Sequence, residues 1–301
     1  MSTSPFRGVM PAITTPFTAS GDVDHAFLAE HFVTMQKAGC SGVIPLGSLG
    51  EGATLSFDEK VAILRTLVAA SGGAPVMPGI AALATRDAIA LAQTAQKIGC
   101  KGLMVLPAYV HKGPREEAEA HVSAVLRSVD LPCMLYNNPF AYGVDFEPAR
   151  IRVLAEAHAN LVAVKESSGD ARRVTAVLRE CGTRLQVMVG LDDMLVEGVA
   201  AGASGWVAGL VNALPRESVV LFDRARSGGR EAARELYEWF LPLLRLDVVP
   251  EFVQLIKLVQ QELSLGHERV RAPRLALSGR ARDEALATIR AALKTRPGVE
   301  S

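Results

Sequence analysis

The sequence predicts an α/β protein, a (β/α)8 barrel of the TIM type followed by a C-terminal three-helix extension. Three observations carry that expectation. Short apolar runs occur eight times, segments with apolar residues at helical spacing separate them, and fragments of the pattern repeat. Near-continuous apolar strands alternating with helices belong to a parallel sheet covered by helices. A doubly wound open sheet is the rival arrangement, but eight units favour closure into a barrel.

The expected strands are 8–14, 42–46, 75–80, 102–106, 132–136, 161–165, 185–189 and 204–208. Helical spacing covers 24–38, 57–70, 85–98 and 114–128 between them. The fragments KAGCSGVIPLG, KIGCKGLMVLP and AAGASGWVAGL each read as helix end, glycine, short link and strand. Gly39, Gly99 and Gly202 suit the left-handed position that ends a helix. The barrel is expected over 1–225. Residues 226–301, with helices at 230–246, 250–265 and 280–295, form a C-terminal helical segment, a small subdomain or an oligomer contact.

Composition narrows the function. The 301 residues are 49% hydrophobic and 21% charged, too apolar for a disordered chain. Lys+Arg and Asp+Glu are balanced at 32 each, which leaves no basic footprint for nucleic acid or an anionic membrane. Cys40, Cys100, Cys133 and Cys181 are scattered without a CxxC pair and read as reduced, structural thiols. The N-terminus lacks a signal pattern and no run is long enough to span a membrane, so a soluble, cytoplasmic protein is expected.

Active-site residues of such a barrel lie where strands end. LVAVKESS ends the sixth expected strand with Lys165, where apolar walls lower an amine's pKa and leave it nucleophilic toward a carbonyl. A structural lysine paired with Glu166 or another carboxylate is the alternative. PCMLYNNP ends the neighbouring strand with Tyr136, a phenol placed to shuttle protons or simply to pack. In GSLGEGATL, Gly47, Gly50 and Gly52 permit a tight turn whose amides face an anion, and Ser48 adds a hydroxyl. An ordinary βα turn is the bland reading of that loop. Asp192 and Asp193 either meet substrate hydroxyls or cap the helix near Met194. The six histidines show no metal-ligand spacing, so no metal is expected, and no GxSxG elbow occurs.

Taken together, these motifs resemble the dihydrodipicolinate synthase/N-acetylneuraminate lyase family of Schiff-base aldolases, over nearly the full chain. PAITTPFTASGDVD is similar to its first strand and loop, GSLGE to its carboxylate loop, LYNNP to its tyrosine strand and VKESSGD to its lysine strand. IKLVQQELSLG and RAPRLALSG resemble its C-terminal helices. The resemblance implies that Lys165 forms an imine with pyruvate or another 2-oxo acid, with Tyr136 transferring protons. It implies that Ser48 and the Leu49 amide hold the substrate carboxylate, that the Val207 carbonyl faces the substrate, and that Tyr109 is lent to a neighbouring subunit. The same resemblance implies a homotetramer built from dimers, and neither a metal nor an organic cofactor.

Three departures bear on the reaction. Leu49 stands where the lysine-pathway synthases carry a second hydroxyl residue, which breaks their proton-relaying hydroxyl chain. Ala141 stands where they carry an arginine for the second substrate's carboxylate. GLDD resembles the GYDE of sugar-acid lyases, in which the acidic residues face substrate hydroxyls, and places Asp192 at the substrate. The expected function is therefore a catabolic Schiff-base lyase of a small 2-oxo acid. 4-Hydroxy-tetrahydrodipicolinate synthase is the alternative, and a non-catalytic 2-oxo acid binder the rival from another class.

Overall fold

The computed structural model describes residues 4–299. Seven parallel strands form one curled sheet in the order β1-β7-β6-β5-β4-β3-β2. They are β1 (Gly8–Pro11), β2 (Gly79–Ile80), β3 (Leu103–Val105), β4 (Cys133–Asn137), β5 (Leu161–Glu166), β6 (Gln186–Val189) and β7 (Gly205–Ala208). The helices are α1 (His25–Lys37), α2 (Phe57–Ala70), α3 (Thr85–Ile98), α4 (Arg115–Arg127), α5 (Pro139–Tyr142) and α6 (Pro148–Ala157). They continue with α7 (Arg172–Cys181), α8 (Leu195–Ala200), α9 (Pro215–Leu244), α10 (Phe252–Glu262) and α11 (Gly279–Lys294).

The expected strand at 42–46 is the exception, since it forms no ladder. It meets its neighbours through single parallel bridges, Ile44 with Ala12 and Val43 with Val76. Prolines explain this. Pro45 here, and Pro75 and Pro78 in the facing run, have no N–H to donate. The remaining groups are still paired, with Ile44 N donating to Pro11 O at 2.8 Å and Gly79 N to Pro45 O at 2.8 Å. Ile44 also lies inside the sheet with Phe6, Met10, Met134 and Val207, in a cluster that holds five of the chain's eight methionines. Flexible thioethers fill the irregular interior that the interrupted ladder leaves.

Local chemistry accounts for the helix boundaries. Asp24 caps α1 by accepting from Phe27 N at 3.0 Å, and Ser56 with Glu59 closes a capping box on α2. Gly39, Gly99 and Gly202 have φ of 104°, 103° and 108°, as the repeat predicts. The C-terminal extension is helical too. Gly229, with φ of 66°, kinks α9 before it runs on to Leu244. Val253, Leu255, Ile256 and Ile289 of α10 and α11 belong to the same core cluster as Val9 and Leu28, so the extension packs onto the sheet's helical shell. All four cysteines are free thiols, and burial pushes Cys40, Cys100 and Cys133 up to about 12. Among the described residues no helix is long and apolar enough to cross a membrane.

Candidate active site

Strand register brings the two central residues together. Tyr136 on β4 pairs with Lys165 on β5, so both side chains point to the same, inner side of the sheet. The Lys165 ammonium position lies 4.2 Å from the centre of the Tyr136 ring. Lys165 is only 6% exposed, and among the described residues it has neither a hydrogen-bond partner nor a carboxylate at ion-pair distance. Burial lowers its pKa, with the charges of Asp247 and Asp192 opposing. The pairing with Glu166 does not form. Consecutive strand residues face opposite ways, and Glu166 instead accepts from Asn137 Nδ2 at 3.0 Å and Ser168 N at 2.7 Å. Gly190, just after β6, makes room for the lysine. A Cβ there would lie 2.8 Å from Lys165 Cε and 1.9 Å from Ser167 Oγ.

The loop after the 42–46 run has the close backbone packing that its glycines require. A Cβ on Gly52 would stand 2.1 Å from Leu46 O, and one on Gly50 2.9 Å from Ile13 O. Gly47 O receives the Gly52 amide at 3.1 Å, and Ser48 O the Glu51 amide at 3.1 Å. Ser48 N and Leu49 N donate to no acceptor in the described chain, which leaves two adjacent amides for an anion. Leu49 itself is buried in the core.

The missing loop hydroxyl has a substitute that the sequence did not single out. Tyr142, at the end of α5, is hydrogen-bonded through its phenol to Ser48 Oγ. Its ring meets that of Tyr136 edge-on, with centroids 5.4 Å apart, and tilts against Tyr109 at 5.8 Å. Burial raises the pKa of both phenols. Tyr142 thus sets a phenol against Ser48, next to the position where the hydroxyl chain was expected to break at Leu49. Its signal in the sequence was Tyr142 beside the altered Ala141. Asn138 Nδ2 adds a donor to the Tyr136 phenol at 3.1 Å. Val207 lies with Tyr136 and Tyr142 in the inner cluster, and Tyr109 packs against it.

Asp192 departs from both readings made of it. Its side chain caps no helix: Asp192–Met194 is a 3-10 turn without a side-chain cap, and so is the start of α8. Nor is its carboxylate free for a ligand, since it accepts from Trp206 Nε1 at 3.0 Å, Gly209 N at 3.0 Å and Leu210 N at 2.7 Å. It anchors the turn that follows β7 and satisfies the buried indole. Burial still holds Asp192 up to about 6. Asp247, from the turn Arg245–Asp247 beyond α9, is a further acid at this end of the sheet, and no local motif announced it. Among the described residues no group of three or more His, Cys, Asp or Glu is placed to hold a metal.

The profile of the Dihydrodipicolinate synthetase family matches residues 5–292. A 4-hydroxy-tetrahydrodipicolinate synthase of Natronomonas pharaonis is 35% identical over 237 residues, 78% of this chain and 80% of that protein. One from Pelobacter propionicus is 30% identical over 291 residues, 96% of this chain and 98% of its own. Among solved structures, a prophage protein of the dihydrodipicolinic acid synthase family from E. coli K12, in complex with pyruvate, superposes with a TM-score of 0.88. It is 27% identical and the match covers 96% of this chain and 99% of that one. With the profile match spanning nearly the whole chain and the curated relatives at 30–35% identity, the chain belongs to the dihydrodipicolinate synthetase family and is an enzyme, a lyase of the Schiff-base, class I aldolase type.

Proposed function

We propose that Lys165 attacks the C2 carbonyl of pyruvate or another small 2-oxo acid and holds it as an imine. One observation carries this reading: a buried amine without a hydrogen-bond or ion-pair partner, 4.2 Å from a phenol ring and in register with it. Desolvation keeps a fraction of the amine neutral and nucleophilic. The nitrogen adds to C2, the carbonyl oxygen leaves as water after gaining protons, and Tyr136 is placed to carry those protons. Ser48 and the Leu49 amide hold the substrate carboxylate, in the loop that contains Gly47. The carbonyl of Val207 faces the bound acid.

A protonated imine withdraws electrons from C3. Loss of a C3 proton gives an enamine, and so does cleavage of the C3–C4 bond. The enamine attacks an aldehyde or expels a leaving group further along. Ala141 offers a methyl rather than a cation to a second carboxylate, which favours a catabolic lyase of a small 2-oxo acid. The names of the curated relatives favour the second reading, 4-hydroxy-tetrahydrodipicolinate synthase. Turnover of pyruvate with aspartate semialdehyde separates the two, since the synthase requires it and the catabolic lyase does not show it.

The 42–46 run, bridged on both sides, is the eighth stave of a closed barrel in this reading. Residues 1–225 form the catalytic barrel and 226–301 its C-terminal helical segment. A second copy covers Leu83, Val110 and Phe140, which are 56%, 64% and 81% exposed near Tyr109, and two such dimers make the tetramer. Borohydride reduction with pyruvate, followed by peptide mass spectrometry, tests the central claim. A stable adduct on Lys165 is expected. Absence of any adduct with pyruvate and longer oxo acids leaves Lys165 structural and the binder reading ahead.

A further inference from the structure

We propose that Asp247 selects the substrate: its carboxylate accepts a hydrogen bond from a hydroxyl on the distal part of a 2-oxo acid held on Lys165, and repels acids that carry a second carboxylate there. The inference rests on the imine reading and adds the substrate class to it.

Asp247 reaches the site from the C-terminal segment, through the Arg245–Asp247 turn between α9 and α10. Its carboxylate lies directly over Gly209, just past the end of β7. A Cβ on Gly209 would stand 1.9 Å from Asp247 Oδ1 and 3.1 Å from Oδ2. The amide of that same glycine donates to Asp192, so the two carboxylates flank one peptide. Gly209 follows the end of β7, and β7 is separated from β5 and its Lys165 by β6 alone, so the acid stands at the end toward which these parallel strands run; its charge opposes the lowering of the Lys165 pKa.

The two acids differ in what they still have to offer. Asp192 is fully buried and receives three N–H donors. Asp247 keeps part of its surface open and accepts no hydrogen bond from any described group. An ionised carboxylate offers about four acceptor positions, and leaving them unmet in a partly desolvated place is unfavourable. Burial and the charge of Asp192 raise the pKa of Asp247, as expected of an acid without a partner.

A substrate anchored by its C1 carboxylate at the loop and its C2 on Lys165 extends its remaining carbons into this field. A distal carboxylate would meet the two acids that flank the Gly209 peptide. A distal hydroxyl would meet the unused acceptor of Asp247. Hydroxylated 2-oxo acids are therefore the class that fits. The role that GLDD suggested for Asp192 passes to Asp247, because Asp192 is fully buried and already holds three N–H donors, whereas Asp247 holds none.

The test traps Lys165 with borohydride in the wild type, Asp247→Asn and Asp247→Leu, using pyruvate, 2-oxoglutarate and 2-keto-3-deoxygluconate separately. Thermal melting checks that each variant is folded. The wild type is expected to favour 2-keto-3-deoxygluconate over 2-oxoglutarate. Asp247→Asn removes the charge and keeps an acceptor, so it should relax the exclusion of 2-oxoglutarate. Asp247→Leu removes both, and the preference should shift by roughly tenfold or more, the worth of a hydrogen bond to a charged group. A wild type labelled by pyruvate, with the same preference in all three proteins, overturns the inference and leaves the imine reading intact. A wild type that pyruvate does not label overturns both.

Discussion

Among the described residues two lysines are buried, and they have opposite surroundings. Lys257 on α10 is 1% exposed, and its ammonium donates to Glu51 Oε1 at 2.5 Å, Thr15 O at 2.8 Å and Arg269 O at 2.8 Å. Lys165 is 6% exposed and donates to nothing in the described chain. Burial lowers the pKa of both, but Glu51 opposes it directly at Lys257. An ammonium with three acceptors is a tether; one with none is a nucleophile in waiting. Burial therefore does not identify a reactive lysine; the absence of acceptors does.

The Lys257 tether also serves the site. Glu51 sits in the anion loop with φ of 53°, an uncommon backbone for a residue with a side chain. Its second oxygen accepts from Arg271 N at 3.0 Å and lies 3.6 Å from Arg274. The C-terminal segment thus pins the loop that offers Ser48 N and Leu49 N to substrate. One region is satisfied so that the other can stay unsatisfied.

Substituting each lysine by methionine breaks this comparison most sharply. Lys165→Met should abolish the borohydride adduct and reduce turnover of any 2-oxo acid by orders of magnitude, while urea unfolding shows stability unchanged or raised. The sign follows from linkage. The unfolded lysine holds its proton to about pH 10.4 and the folded one releases it lower, so the native group disfavours folding below that pH. The same depressed pKa predicts that imine formation slows as pH falls through it. Stability lost in Lys165→Met with labelling retained elsewhere would reverse the assignment.

Lys257→Met should do the opposite. It leaves Glu51 buried without its nearest counter-charge, at a cost of about 3–5 kcal/mol in urea unfolding. Under conditions where the variant remains folded, pyruvate should still label Lys165. A variant as stable as wild type would show that Arg271 and Arg274 suffice to hold the loop.

The smallest effect concerns His31, which lies on the tethered side. It is 5% exposed on α1 and shares a 3.2 Å hydrogen bond with Gln260, three residues beyond Lys257 on α10. Burial lowers its pKa to about 4. Between about pH 6.5 and 4 the unfolded chain binds a proton that the folded one does not, so stability falls with pH over that window by roughly 3 kcal/mol. The urea midpoint measured across these pH values should drop in wild type and flatten in His31→Gln. Equal slopes in the two proteins would show that His31 titrates normally in the fold.

Much of this was readable without coordinates because it depends on neighbours in sequence. Apolar runs alternating with helical spacing require a parallel, helix-covered sheet, and the glycines at helix ends need left-handed backbone wherever the chain goes next. Lys165 and Tyr136 were legible because a polar residue ending an apolar run is conspicuous. The expected strand at 42–46 lost its ladder because prolines on two separate runs face one another, a pairing that only folding creates.

What the sequence alone determined is the alternation of strands and helices and the presence of a lysine and a tyrosine at neighbouring strand ends. The tertiary structure decided what each buried charge meets. Asp192 became an anchor because Trp206 and the Gly209 and Leu210 amides converge on it from 14 to 18 residues away. Tyr142 reached Ser48 across 94 residues, and Lys257 reached Glu51 across 206. Periodicity is a property of the local chain, but the protonation and pairing of a buried group depend on atoms brought to it from anywhere in the sequence.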